Sequence, residues 1–176
     1  MDASTPQSPL PIDPELIQKT LEPYGTRGTI YLQQAAVKPM AEDSEDNDND
    51  YAVTGQFAIG ESCYISETGH FNAVEFNICY NQLFYVTLAQ ACATQAIEPL
   101  KDFTLDDFYQ KQLSSIDITR LESFYRRPIN SNAFTGELTL WKIKVMKNLI
   151  VIKTEVEFSD TNKGLAYGSV DIAIAQ

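Results

Sequence analysis

The apolar run over residues 73–97 constrains the fold of this chain more than any other feature. Apolar residues occur on nearly every side of a helix drawn through it, as in Val86, Leu88, Ala89, Ala91, Ala93, Ala96 and Ile97. A helix of this kind is buried all round rather than lying on a surface. The sequence therefore predicts one central helix that the rest of the chain encloses.

The opening of this helix is instead rich in amide side chains. An unpaired amide in an apolar interior costs about 1–3 kcal/mol, so Asn72, Asn77 and Asn81 must bond to backbone, to each other, to water or to a ligand. Asn77 and Asn81 lie one turn apart on one helix face, and we expect Asn81 to face the ligand. Asn72 with Glu75 has the form of a capping box. A helix N-terminus also favours an anionic oxygen, so Asn72 can serve both purposes.

Composition narrows the class of protein. The chain has 176 residues, 44% of them hydrophobic, which suits one domain with a sizeable core. Its net charge of -11 argues against nucleic acid as a partner. Residues 1–4 do not begin the basic and then apolar pattern of a signal peptide and no apolar run approaches the length of a membrane span, so we expect a cytoplasmic protein. Cys63, Cys79 and Cys92 have no CxxC spacing, so we expect reduced, mostly buried thiols and no metal site.

We divide the chain into an N-terminal tail with a short helix (1–23) and a single domain (24–176). Residues 1–12 indicate a flexible lead-in, and a helix capped by Asp13 runs from Pro14 to Leu21. Two strands, 28–37 and 51–59, flank an acidic loop over 41–50 that we expect to be disordered. This loop imitates the start of an EF-hand, but Tyr51 and Phe57 occupy the glycine and glutamate positions, which excludes calcium.

Four further strands follow the central helix and a short amphipathic helix over 102–113. They cover 116–124, 134–145, 152–158 and 166–174, and the last two alternate between apolar and polar residues. An antiparallel sheet curled around one buried helix accommodates this order. The predicted class is therefore α+β, in the hot-dog arrangement. Because such a sheet leaves edges, we expect dimers with a continuous sheet and a pocket between subunits.

Two motifs carry a family resemblance. Gly69-His70-Phe71-Asn72 followed by Phe76 resembles the G-H-x-N-x-x-x-aromatic start of the central helix in hot-dog acyl-CoA thioesterases. The longer run from Gly69 to Tyr85, with Tyr64 upstream, is similar to the FcoT-type thioesterases, which act on fatty acyl thioesters. This resemblance is compatible with residues 24–174.

The resemblance implies a catalytic set of Tyr64, Asn72, Asn81 and Tyr31. The catalytic aspartate of ordinary hot-dog thioesterases falls on Ser66, so this chain must rely on oriented water and on donors to the carbonyl oxygen. A phenol has an ordinary pKa of about 10 and would donate a hydrogen bond at neutral pH. Both tyrosines can equally be strand aromatics.

Other residues are assigned to substrate binding: His70, Asn77, Phe84, Arg126 and Arg127. His70, the only histidine, is either a structural residue or a general base. Arg126 and Arg127, with Lys142, Lys144 and Lys147, either bind the phosphates of coenzyme A or phosphopantetheine or form a solvated strand edge. Cys79 and Cys92 are interpreted as core thiols rather than nucleophiles.

Three functions fit these residues. The favoured one is hydrolysis of a medium- or long-chain fatty acyl thioester of coenzyme A or acyl carrier protein, in which the Asn and Tyr side chains and the helix N-terminus polarise the thioester and orient water. The second is addition of glycine to a (2E)-enoyl thioester on the way to isonitrile lipids, and the third is non-catalytic acyl binding. No cofactor is expected beyond the coenzyme A or phosphopantetheine of the substrate. Expected partners are the acyl thioester, an acyl carrier protein, and further copies in a homodimer or a larger homo-oligomer such as a hexamer.

Overall fold

The structure is a computed structural model that describes residues 8–39, 51–66 and 70–175. Within these residues the helices are α1 (Pro14–Gly25), α2 (Ala73–Thr94), α3 (Leu105–Lys111) and a 3-10 turn (Glu98–Leu100). The strands are β1 (Leu10–Pro11), β2 (Leu32–Val37), β3 (Tyr51–Phe57), β4 (Ile116–Arg127), β5 (Phe134–Met146), β6 (Leu149–Ser159) and β7 (Leu165–Ala175). None of these helices is long and apolar enough to cross a membrane.

The strands form one antiparallel sheet in the order β1-β2-β3-β5-β6-β7-β4. The sheet curls around α2, most of whose side chains are buried against it. β1 and β4 are the two edges. The predicted α+β class and hot-dog arrangement are confirmed.

The central helix begins at the Asn72 cap and ends earlier than predicted. Gln95 adopts the left-handed conformation with φ of 50°, and its N–H bonds to the carbonyls of Ala91 and Cys92, which stops the helix after Thr94. The prediction that the helix is buried on every side is also wrong along one stripe of α2. Asn77, Ile78, Asn81 and Tyr85 are only half-buried because the sheet of one chain leaves this side of α2 uncovered.

Close contacts hold α2 inside the sheet. Tyr80 and Thr154 are fully buried, and their hydroxyl oxygens lie 2.8 Å apart; Thr154 in turn donates to the carbonyl of Val170 at 2.9 Å. Thr154 has one proton to give, so Tyr80 is the donor of the first bond. A Cβ atom on Gly168 would collide with the Glu122 carbonyl and lie 3.0 Å from the ring of Phe76. Gly168 therefore lets the helix start approach the sheet.

The N-terminal segment differs from the prediction of a flexible lead-in. Leu10 and Pro11 pair with Val37 and Ala36, and the N–H of the buried Ile12 donates to Ala35 at 2.9 Å. α1 continues to Gly25 instead of ending at Leu21, with Pro23 in its last turn, where only one intrahelical bond is lost. The predicted acidic loop over 41–50 lies outside the described residues.

Candidate active site

The start of α2 combines a completed cap with unused donors. The side-chain oxygen of Asn72 accepts from the N–H of Val74 at 2.8 Å, and the Glu75 carboxylate accepts from the N–H of Asn72 at 3.3 Å. The predicted capping box is confirmed. Among the described residues, neither the side-chain N–H2 of Asn72 nor the backbone N–H of Ala73 has a protein acceptor. Both are available to an anionic oxygen at the positive end of the helix dipole.

A pocket of about 730 Å3 opens beside this helix start. It is lined from the helix side by His70, Phe71, Asn72 and Ala73, and from the sheet side by Tyr125, Arg126, Arg127, Pro128, Ile129 and Ala166. The ring of Tyr125 packs edge-on against Phe76 with centroids 5.8 Å apart. Four predicted site residues, His70, Asn72, Arg126 and Arg127, therefore share one pocket.

The loop over 61–66 is fastened to the helix start by Glu75. The Glu75 side chain is buried, with 1% exposure, and its second oxygen accepts a short hydrogen bond from the hydroxyl of Ser62. The Ser62 oxygen accepts in turn from the N–H groups of Tyr64 at 3.1 Å and Ile65 at 3.3 Å. This network places the loop that carries Tyr64, whose own side chain is 63% exposed.

Tyr31 holds the same loop from the other side. Its phenol donates to the carbonyl of Glu61 at 3.2 Å and accepts from the N–H of Cys63 at 3.0 Å. Burial raises the pKa of Tyr31 to about 12, so the phenol stays protonated at neutral pH. The structure thus shows Tyr31 in contact with loop backbone, and a catalytic role for it stays a prediction.

Gln82, a residue of α2, binds the backbone around Tyr31. Its fully buried side chain accepts from the N–H groups of Tyr31 at 2.9 Å and Leu32 at 3.0 Å, and donates to the carbonyl of Thr29 at 2.6 Å. All three backbone groups precede or begin β2. A single amide therefore ties the central helix to this strand.

Asn77 and Asn81, the other two asparagines predicted for the site, lie on the half-buried stripe of α2, outside the pocket lining. The Asn77 side-chain oxygen is buried without a hydrogen-bond partner in the described part of the chain. No described residue bonds to the Asn81 side chain either. Phe84 is fully buried and stacks on Tyr80 with centroids 5.9 Å apart. Substrate contact by Asn77, Asn81 and Phe84 remains a prediction.

Two of the three cysteines are core thiols, as predicted. Cys79 and Cys92 are buried and free, and burial raises the pKa of both, that of Cys92 to about 12. A raised pKa disfavours the nucleophilic thiolate. Cys63 is exposed.

Sequence reasoning missed Ser62, Gln82 and Tyr125 at this site, and assigned Glu75 only to the cap. The local spacing of Asn72 and Glu75 is visible as a capping box. The Ser62–Glu75 bond joins positions 13 apart and the Tyr31–Gln82 bond positions 51 apart. Such pairs have no signal in local spacing.

Comparison with known proteins places these features in a family. The family model for the FcoT-like thioesterase domain matches residues 19–174. A relative from Mycobacterium tuberculosis, named (2E)-enoyl-ACP glycyltransferase, is 38% identical over 167 residues, which are 93% of this chain and 87% of the relative. A protein of the same name from Streptomyces coeruleorubidus is 38% identical over 126 residues, 72% of each chain.

Solved structures show the same fold at low sequence identity. A phenylacetic acid degradation-related protein from Ralstonia eutropha, described as a thioesterase, has a TM-score of 0.50 and 10% identity, covering 90% of this chain and 98% of its own. A mutant thioesterase from Pseudomonas aeruginosa has a TM-score of 0.50 and 9% identity, covering 94% and 96%. With the family model matching almost the whole described domain, the chain belongs to the FcoT-like thioesterase family.

Proposed function

We propose that this enzyme adds the amine of glycine to a (2E)-enoyl thioester carried by an acyl carrier protein. The observation that carries the proposal is the 38% identity over 93% of the chain with a protein named for this activity. From the sequence motifs alone, hydrolysis is the first candidate and glycine addition the second. The relatives support the second better than the first.

The reaction needs no oxidant or reductant. The lone pair of the unprotonated glycine amine forms a bond to C3 of the enoyl chain, and the electrons of the C2–C3 double bond move toward the thioester oxygen. The resulting enolate takes a proton at C2, and the nitrogen gives one up, so the product is a 3-(carboxymethylamino)acyl thioester. Negative charge develops on the thioester oxygen and requires preorganised donors.

The helix start supplies such donors. The side-chain N–H2 of Asn72 and the N–H of Ala73 adjoin the pocket, and within the described part of the chain neither has an acceptor. We assign the thioester oxygen to them. The pocket walls formed by Phe71, Pro128 and Ile129 provide apolar surface for the acyl carbons beside the thioester.

Hydrolysis is the second candidate because the family is described as a thioesterase domain. A tetrahedral intermediate formed by water would use the same donors as the enolate. Ser66 still occupies the position of the usual catalytic carboxylate. Water attack would therefore depend on hydrogen-bonding groups that orient the water.

The test is incubation of the purified protein with saturated and 2-enoyl thioesters, with and without glycine, followed by mass spectrometry. We expect a glycine adduct from the enoyl substrate alone. Running acyl carrier protein and coenzyme A thioesters in parallel identifies the carrier. Free acid from the saturated substrate would instead support hydrolysis, and tight binding without any product would support a binding module.

Asn81→Ala tests in the same assay the catalytic role that the family resemblance implies for Asn81, whose side chain lies on α2 outside the pocket lining. We expect it to lose turnover while its circular dichroism spectrum and oligomeric state match the wild type. Full activity in this variant would remove Asn81 from the catalytic set.

A further inference from the structure

The pocket at the helix start is positively charged in an acidic protein. The chain carries a net charge of -11, yet none of the described residues lining the pocket is a carboxylate, and the lining includes the two cations Arg126 and Arg127. The N-terminus of α2 adds partial positive charge at the same place. This lining favours a ligand with an anionic group.

The two arginines are not equivalent. Arg126 donates two hydrogen bonds to the hydroxyl of Tyr167, at 3.0 and 2.6 Å, and its guanidinium lies over the rings of Tyr167 and Phe124. The guanidinium of Arg127 has no hydrogen-bond or ion-pair partner in the described part of the chain. This guanidinium is therefore the cation of the pocket that is available to a ligand.

A break in strand pairing separates these neighbouring side chains. Tyr125 pairs with Ala166 and Arg127 pairs with Leu165, so Arg126 is an extra residue on β4. An insertion of this kind bends the strand and changes the direction of side chains. Two consecutive arginines consequently occupy different environments, one bound to Tyr167 and one available at the pocket.

We infer that Arg127 binds the carboxylate of glycine and so selects an α-amino acid as the attacking amine, an inference that rests on the proposed function. A guanidinium matches a carboxylate with two parallel hydrogen bonds. In glycine one carbon separates carboxylate and amine, so holding the carboxylate at Arg127 keeps the nitrogen in the pocket that also contains Asn72 and Ala73. The carrier phosphate is the other candidate anion, but the whole pantetheine arm separates it from the thioester.

The experiment compares glycine with glycinamide, which has the amine but no carboxylate. In the wild type we expect glycine to be used with a higher kcat/KM than glycinamide. Arg127→Met should raise the KM for glycine about ten- to hundredfold, the range for a lost hydrogen bond to a charged group. The same variant should leave kcat/KM for glycinamide and the KM for the enoyl thioester unchanged, and Arg127→Lys should recover part of the glycine affinity.

Arg120→Met is the matched control, because Arg120 is on the same strand but pairs with Glu122 and Ser169 away from the pocket. It should keep the wild-type KM for glycine. Glycine binding measured by NMR saturation transfer, with a non-reactive saturated acyl thioester present, tests the same contact without turnover. Binding in the wild type and its loss in Arg127→Met is the expected result.

Distinct outcomes separate the two proposals. An adduct from the wild type with unchanged glycine KM and binding in Arg127→Met would overturn the role of Arg127 alone. A raised KM for the carrier thioester in that variant, without change for glycine, would assign Arg127 to the phosphate and also overturn it. Glycine binding through Arg127 without any adduct would support the contact and refute the proposed reaction.

Discussion

The Asn72 amide group caps the central helix and, in the proposed reaction, also donates to the thioester oxygen. Its oxygen caps the helix through the N–H of Val74, while its N–H2 group adjoins the pocket and has no acceptor among the residues that the structure describes. The two tasks use opposite ends of the amide. Substitutions can therefore separate them.

Asn72→Asp should keep the cap and lose the donor. Aspartate and asparagine are nearly equal as N-caps, so the free energy of unfolding in urea should stay within about 0.5 kcal/mol of the wild type. Loss of one oxyanion donor costs about a hundred- to thousandfold in kcat, and an added negative charge beside the enolate works in the same direction. Steady-state rates of adduct formation measure this effect.

Asn72→Ala is the matched variant because it removes both functions. It should lose turnover and about 1 kcal/mol of stability. Wild-type turnover in Asn72→Asp would show that the amide donor does not contact the reacting thioester.

Site residues could be predicted where the signal is local or rests on the family resemblance. Asn72 has both, since a capping box is visible over four consecutive residues. Tyr31 could be named from the resemblance, but its contacts with Glu61 and Cys63 depend on how β2 and the loop meet. Sequence alone could not show that its phenol bonds to loop backbone.

Among the helices and strands, those whose apolar and polar residues alternate regularly in the sequence were predicted best. In β6 and β7 every second residue is buried and those between are half-buried or exposed, and the structure extends each predicted strand by only a few residues. β4 runs three residues beyond its predicted end at Phe124, because its pairing with β7 resumes at Arg127 after the extra residue Arg126; Thr119 is a second extra residue in this strand. Such insertions interrupt the period that a sequence pattern relies on.

The contact between β7, β4 and α2 depends on the absence of a side chain at Gly168. In Gly168→Ala the new methyl group would meet the backbone of Glu122 and the ring of Phe76, neither of which can rotate away easily. Overpacking of this kind costs about 1–3 kcal/mol. We expect a corresponding loss in the free energy of unfolding measured in urea.

Gly60→Ala is the control for Gly168→Ala, because a Cβ atom at position 60 meets no atom within 4 Å. Its free energy of unfolding should differ from the wild type by less than about 1 kcal/mol. Equal stability of the two variants would show that β4 can shift to make room.

At the scale of the whole molecule, one chain leaves apolar surface uncovered along one side. β4 is an edge strand and exposes Leu121, Phe124 and Tyr125 at 40, 42 and 44%. The half-buried stripe of α2, with Asn77 and Asn81, is likewise left uncovered by the sheet of its own chain. An exposed apolar edge invites pairing with another strand. The predicted homodimer with a continuous sheet would cover this edge.

Leu121→Asp tests this assembly. Charged side chains on an edge strand oppose pairing, so the variant should elute as a monomer in size-exclusion chromatography with light scattering, whereas the wild type should be a dimer or a larger assembly. Leu10→Asp is the control, because Leu10 is 65% exposed on β1 at the opposite edge of the sheet. It should keep the wild-type mass.

If the site lies between subunits, turnover should fall with the fraction of assembled protein in Leu121→Asp and recover at higher protein concentration. A fully active monomer would instead show that one chain contains the complete site.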